Sequence, residues 1–360
     1  AISHILSKSV KNLNILITGA GGSIGSELSK QVIKMQPNKL ILFDLCEHNL
    51  YQIIKEIEKY YVKNVEVISI LGNARENKLL EEIFSKHKID VVYHSAAYKH
   101  VPIVEENPID GLSNNVFTTL AICNAAYKFN IKKVILISSD KAVRPTNVMG
   151  ASKRLAELIL QAFDQRSLEQ NISTNIDRSY FSMVRFGNVI GSSGSVIPLF
   201  KKQIAAGGPL TITDKRVNRF FMTISEAAEL VLQASVLSEG GDVFLLDMGK
   251  SININKLAEN MINMSGLTIK DSNNPEGDIE IIETGLRKGE KLFEELIIDA
   301  ESIKTSHPLI YKAKERFLRY EKLMFKLNQL RDAISDRNKG NSYKILSELV
   351  PEWKHNYDFD

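Results

Sequence analysis

Five residues within one short span carry the reactive groups of this sequence: Ser139, Asp140 and Lys141 close an apolar run, and Met149 and Lys153 stand in the helical run that follows. A carboxyl beside an amine offers an acid and a base at adjacent atoms. Burial raises an Asp pKa and lowers a Lys pKa, and a second lysine, Lys153, pushes Lys141 further down. The expectation is therefore a protonated Asp140 acting as acid and a neutral Lys141 acting as base. Their mutual attraction opposes both shifts and couples the two titrations. The plainer alternative is a loop ion pair.

A second cluster lies near the start. Thr18-Gly19-Ala20-Gly21-Gly22-Ser23-Ile24-Gly25 places glycines at 19, 22 and 25 between a predicted strand and a predicted helix. Glycine allows the tight turn, the close approach of backbone to a pyrophosphate and the packing of helix on strand, with the helix N-terminus facing the anion. Asp44, 25 positions after Gly19, ends the next strand. A carboxylate there accepts hydrogen bonds from a ribose and repels a 2′-phosphate, so NAD is expected rather than NADP. The alternative for Asp44 is a helix N-cap ahead of Glu47.

These groups need a scaffold, and the hydrophobic pattern supplies one. Strand-like runs at Asn14–Thr18, Lys39–Phe43, Val65–Ile70, Val91–His94 and Lys133–Ser138 alternate with helical runs at Ser23–Met35, Leu50–Tyr61, Asn77–His87 and Val116–Phe129. Such alternation implies βαβ units and a Rossmann-like, doubly wound parallel sheet covered on both faces. After a strand at Phe181–Phe186, the glycine- and serine-rich stretch 187–194 breaks the rhythm. The expected division is a dinucleotide-binding domain of residues 10–186 plus 223–248, a smaller α/β substrate domain of 187–222 plus 249–313, and a charged helical tail of 314–360 carrying the single tryptophan.

Bulk properties exclude several classes. In 360 residues, 46 Lys and Arg face 43 Asp and Glu, with no block of like charge to suggest a nucleic-acid arm. Cys46 and Cys123, the two cysteines, form no metal-ligand or disulfide pattern and are expected as small core residues in a reducing compartment. Seven scattered histidines suggest no metal site. No run of about twenty apolar residues spans a bilayer. The chain opens on Ala1 and enters a short amphipathic stretch, Ile2–Val10, so it is expected to be the catalytic portion of something longer.

The strand-end serines followed by Met149-Gly150-Ala151-Ser152-Lys153 resemble the extended short-chain dehydrogenase/reductases, with Met149 in the place of the usual tyrosine. A thioether does no acid-base work. The longer run Ser138–Arg154 resembles the bacterial polysaccharide-biosynthesis dehydratases of the CapD/WbpM/PglF group, which includes UDP-N-acetylglucosamine 4,6-dehydratases with methionine at that place. Segments 44–51, 96–102, 185–191 and 285–291 agree with it, and the resemblance covers roughly residues 10–300. Departures are Ser139 for a frequent Thr and Lys288 for a proline.

The resemblance implies oxidation at sugar C4, loss of water across C5 and C6, and return of hydride to C6, giving a 4-keto-6-deoxy sugar with retention at C5. It implies that Ala96, Ala97, Tyr98 and Lys153 join the glycine loop around NAD, and that Asn188, Arg219, Arg287 and Glu290 hold the UDP moiety, guanidinium forks suiting its diphosphate. For each arginine a solvated surface charge is the alternative. Lys99 and His100 line the hexose pocket or serve as caps and surface groups. Ser139 with a water, or Asp140, takes the C4 hydroxyl proton. The resemblance further implies a homo-oligomer, no nucleic-acid partner and, because long members carry an N-terminal membrane portion, a place on the cytoplasmic face of the inner membrane. A UDP-sugar 4-epimerase and a redox-silent dinucleotide sensor are the rival readings.

Overall fold

The computed structural model describes residues 6, 9–60, 64–295 and 302–356. Most of the amphipathic stretch Ile2–Val10 lies outside them, as does Tyr61, the expected end of the second helix, which runs Glu47–Glu58. Strands β1 (Asn14–Thr18), β2 (Lys39–Asp44), β3 (Glu66–Leu71), β4 (Val91–His94), β5 (Lys133–Ile137) and β6 (Tyr180–Arg185) are all parallel and lie in the order 3-2-1-4-5-6. This is a Rossmann-like sheet, and the order reverses between β1 and β4.

Side chains alternate across the strands. Ile15, Ile17, Leu40 and Leu42 enter one apolar cluster with the helices Ser23–Lys34, Glu47–Glu58 and Ile224–Leu237. Leu16, Ile41 and Phe43 enter the other, with Asn77–His87, Thr118–Lys128 and Val148–Thr174. The helix expected at Val116–Phe129 begins instead after a π-helical turn, Ser113–Phe117.

Beyond β6 come the short strands β7 (Asn188–Ile190), β8 (Leu210–Ile212), β9 (Asn218–Arg219) and β10 (Phe221–Thr223). β11 (Val243–Leu246) rejoins the large sheet parallel to β6. β12 (Ile252–Asn253), β13 (Ile269–Lys270) and β14 (Ile279–Glu283) return to the smaller layer, where Phe200, Leu210, Ile212, Ile254, Ile262 and Ile279 form a third apolar cluster. The expected boundary at 313 is not where the chain changes layers. β15 (Ser302–Lys304) and β16 (Ile310–Ala313) form a hairpin whose β16 pairs antiparallel with β11, extending the large sheet to nine strands among the described residues. Pairing satisfies backbone groups that β11 would otherwise leave at an open edge.

Candidate active site

The glycine loop sits at the C-terminal end of β1. Gly19 has φ +62°, and a Cβ there would fall 2.8 Å from the Ala96 backbone. At Gly25 it would fall 2.0 Å from the Gly19 carbonyl oxygen. Both positions therefore require glycine. Gly22 stands at the N-cap of the helix Ser23–Lys34, whose first-turn N–H groups have no side-chain cap and no acidic neighbour, an arrangement that favours an anion. Ser23 Oγ accepts from Ser193 N–H at 3.3 Å, and Ile24 packs against the apolar cluster beneath. Sequence reasoning overlooked Gly21, where a Cβ would collide with Asn49 at 2.5 Å.

Asp44 ends β2 with its carboxylate accepting from Gly21 N–H and Cys46 N–H, each at 2.9 Å. The N-cap of Glu47–Glu58 is Cys46. Cys123 is buried as expected of a core residue, but Cys46 is exposed, because the chain leaves the sheet there. Gly19, Gly22, Asp44, Cys46, Ala96, Ala97 and Tyr98 line one crevice of about 320 Å³ at the switch point between β1 and β4.

Lys153 and Met149 lie on the first turns of Val148–Thr174, whose N-cap Asn147 accepts from Gly150 N–H at 2.7 Å. Lys153 Nζ donates to the Ile137 carbonyl at 2.7 Å, and burial brings its pKa down to about 8. Met149 is 2% exposed and belongs to the apolar cluster, so the position expected beside the reacting atoms contributes packing.

The expected protonation of the dipeptide is reversed. Asp140 is buried at the start of a 3₁₀ turn, where Ser139 Oγ–H and Lys141 Nζ donate to its Oδ1 at 3.0 and 3.2 Å. Burial pushes Asp140 up, but the Lys141 ammonium and hydrogen bonds from Glu294 and Ser139 together outweigh it and hold the carboxyl below its ordinary value. Burial pushes Lys141 down, but the Asp140 and Glu294 carboxylates outweigh it and hold the amine above its ordinary value. The attraction between neighbours thus exceeds desolvation, and the resting pair is carboxylate and ammonium. Asp140 Oδ2 is buried without a partner.

Lys141, Lys99, His100, Asn188, Arg219, Arg287 and Glu290 all line a second cleft, of about 340 Å³. The segment 96–100 passes from the wall of the first crevice to the wall of this one. Arg287 is exposed at the rim, whereas Arg219 does not present the free fork expected of it. Its guanidinium bonds Glu290 Oε1 at 3.0 Å and Glu294 Oε1 at 3.2 Å, with two backbone carbonyls taking the rest. Glu290 in turn accepts from Thr213 Oγ–H and Arg287 N–H, bracing its own loop.

Besides Gly21, two site residues escaped sequence reasoning. Glu294, with a side chain 4% exposed, stands 2.8 Å from Lys141 Nζ; it follows the 285–291 segment by three positions, but no local spacing shows where it folds back. Asn115, in the π turn, accepts from Tyr98 N–H and donates to the Tyr98 carbonyl and to Ser152, fastening the wall between the clefts to the lysine-bearing helix. A π turn inside a helix is a frequent mark of a functional site.

Residues 15–315 match the family model described as polysaccharide biosynthesis protein. The chain belongs to that family. It is 45% identical over 293 residues to the capsular polysaccharide biosynthesis protein CapD of Staphylococcus aureus, an alignment covering 81% of this chain and 46% of that one. The chain thus spans about half the length of that family member. It is 32% identical over 345 residues to a protein of Campylobacter jejuni serotype O:23/36 named UDP-N-acetylglucosamine 4,6-dehydratase (inverting), with 94% of each covered. Among solved structures it resembles Pen from Bacillus thuringiensis, at 32% identity and a TM-score of 0.72 over 86% of this chain and 90% of that one. Family and fold together make the chain an extended short-chain dehydrogenase/reductase. No helix among the described residues is long and apolar enough to cross a membrane.

Proposed function

We propose that the chain dehydrates UDP-N-acetylglucosamine to a UDP-4-keto-6-deoxy-N-acetylhexosamine with retention at C5, using NAD that is regenerated in each turnover, for bacterial glycan or glycoprotein biosynthesis. The observation that carries this reading is the pairing of Asp140 and Lys141 in the turn after β5, where Lys141 opens into the second cleft, while Lys153 donates to the Ile137 carbonyl at the end of the same strand. The two named relatives, one a capsule-biosynthesis protein and one a dehydratase of this same sugar nucleotide, support the dehydration; the second is named as inverting, so retention at C5 rests on the sequence resemblance alone.

Gly19, Gly22, Ser23, Ile24 and Gly25 would hold the pyrophosphate of NAD, Asp44 its adenosine ribose, Ala96, Ala97 and Tyr98 its length, and Lys153 its nicotinamide ribose. The glycine cradle and the uncapped helix fit that group. Bound there, NAD supplies a hydride acceptor for sugar C4 and a hydride donor for C6. Asp140, whose Oδ2 is unpartnered, accepts the C4 hydroxyl proton with Ser139 as its hydrogen-bond donor, and later passes a proton to the leaving C6 oxygen. Lys141 takes the C5 proton and returns it to the same face. Arg287, Lys99 and Asn188 contact the sugar nucleotide, while Arg219 and Glu290 brace the wall behind it.

Incubation with UDP-N-acetylglucosamine and mass measurement of the product test this. Loss of one water is expected, and Asp140→Asn or Lys141→Ala lowers turnover about 10²- to 10⁴-fold with NAD still bound. An unchanged mass with inverted C4 marks an epimerase, and NAD binding without turnover marks a sensor; either overturns the proposal. Proton NMR of product formed in deuterated water reads the C5 configuration.

A further inference from the structure

We infer that Glu294 stores the proton of Lys141, taking it so that the amine can act on the C5–H of the sugar and returning it when the cycle closes. The inference rests on the dehydratase reading and deepens it. An ammonium cannot abstract a proton, and the resting Lys141 is an ammonium. Its proton needs a nearby acceptor.

Glu294 Oε1 lies 2.8 Å from Lys141 Nζ, closer than Asp140 Oδ1 at 3.2 Å. Its other oxygen accepts from Asn188 Nδ2 at 3.2 Å, which fixes the carboxylate plane toward Lys141. The charged groups facing it are Lys141 and Asp140 from the turn after β5, Arg219 from β9, and Glu290 and Lys291 from its own loop. Glu290 is neutralised by Arg219, and Lys291 Nζ donates to the Val143 carbonyl. Burial drives Glu294 up and the Asp140 charge adds to it, against the pull of Lys141 and Arg219, leaving its pKa at about 7. Such a carboxyl exchanges protons readily at neutral pH.

The proton count closes. Asp140 carboxylate takes the C4 hydroxyl proton as hydride leaves C4 for the nicotinamide. Lys141 ammonium then gives its proton to Glu294 carboxylate, becoming an amine, and takes the C5 proton. The Asp140 acid protonates the C6 hydroxyl, which departs as water. Hydride returns to C6, Lys141 ammonium reprotonates C5, and the Glu294 acid restores the ammonium. Each residue ends as it began, and the substrate has lost one water. Because Glu294 acts through Lys141, it is a positioning residue.

The test is exchange of the C5 hydrogen of the 4-keto-6-deoxy product in deuterated water, read by NMR on the NAD-loaded protein, since this step needs no hydride transfer. In the wild type the rate should climb as pH rises through about 7, because a Glu294 that is already protonated cannot accept. Lys141→Ala should abolish exchange. Glu294→Gln should slow it at neutral pH by about tenfold or more and remove the climb, while NAD affinity stays unchanged; Glu294→Asp should restore part of both. A wild type that dehydrates the substrate but whose exchange shows no climb near neutral pH overturns the inference without recourse to any variant. So does a Glu294→Gln protein that keeps the wild-type profile, and in both cases the dehydratase reading stands. A wild type that removes no water overturns both.

Discussion

The charge state of a buried group is decided by the balance of burial against neighbouring charge, which keeps Lys141 charged and His94 neutral. At the end of β4 it is fully buried between two hydroxyls, Thr18 Oγ at 2.7 Å from Nδ1 and Thr119 Oγ at 3.0 Å from Nε2. Thr119 donates its own proton to the Asn115 carbonyl, so it accepts from Nε2–H, and Nδ1 is left to accept from Thr18. Burial, with Lys153 adding to it, depresses the His94 pKa to about 3. Between that value and about 6.5 only the unfolded chain takes up the proton, so this histidine makes stability fall as pH falls through that window, by about 1.4 kcal/mol per pH unit. Urea unfolding from pH 7 to pH 5 should therefore show a shallower loss for His94→Gln than for the wild type; parallel curves would refute the assignment. Residue types and spacing made the glycine loop, Asp44 and the Asp140–Lys141 pair visible in the sequence. The protonation of that pair was not visible, because it depends on Glu294, a carboxylate more than 150 positions away in the chain.

Among the elements, the junction of the 3₁₀ turn Asp140–Ala142 with the helix Val148–Thr174 sets the distance between the acid-base pair and Lys153. Gly150 makes that junction possible, since a Cβ there would lie 2.3 Å from the Lys141 carbonyl oxygen, and backbone cannot swing aside as a side-chain tip can. Gly150→Ala should thus displace the turn, costing about 1–3 kcal/mol of stability and lowering turnover tenfold or more while dinucleotide affinity is kept. Calorimetric NAD binding alongside turnover checks this, and equal loss of both would point to general unfolding instead. The alternation of strand and helix was legible because interior parallel strands read as unbroken apolar runs. The hairpin of β15 and β16 was not, since Ser302–Lys304 and Ile310–Ala313 are short and mixed in polarity and are ordered by the edge they cover. The loop carrying Glu290 was equally silent. It is anchored by Thr146 and Asn147 donating to the Gly289 carbonyl, bonds that span about 140 residues.

At the level of the whole molecule, the tail that composition marked only as charged and helical is part of the core. Helices Tyr320–Ser335 and Lys339–Leu349 bury Leu323, Leu327 and Leu346, and the segment after them buries Trp353, in the apolar cluster that holds Leu155 and Phe163. The Tyr320 ring packs edge-on to Phe163 at 5.2 Å. Beside this contact runs an ion network from the site to the tail. Ser138 Oγ–H donates to Glu157 at 2.6 Å, Arg185 and Arg154 both bind Glu157, and Glu315 and Glu352 bind those arginines from the far side. Arg154 and Arg185 are 1% exposed, so each depends on its full set of acceptors. Removing one partner leaves a buried donor unsatisfied, at a cost of about 1–3 kcal/mol for the partly exposed Glu352. Glu157, buried and shared by both arginines, should cost about 3–5 kcal/mol. Urea unfolding of Glu352→Ala, Glu315→Ala and the double variant should then give less than the sum of the single losses, because both carboxylates meet at Arg154. Strict additivity would mean that the two carboxylates act independently rather than through Arg154, and singles indistinguishable from the wild type would mean that apolar contact alone holds the tail.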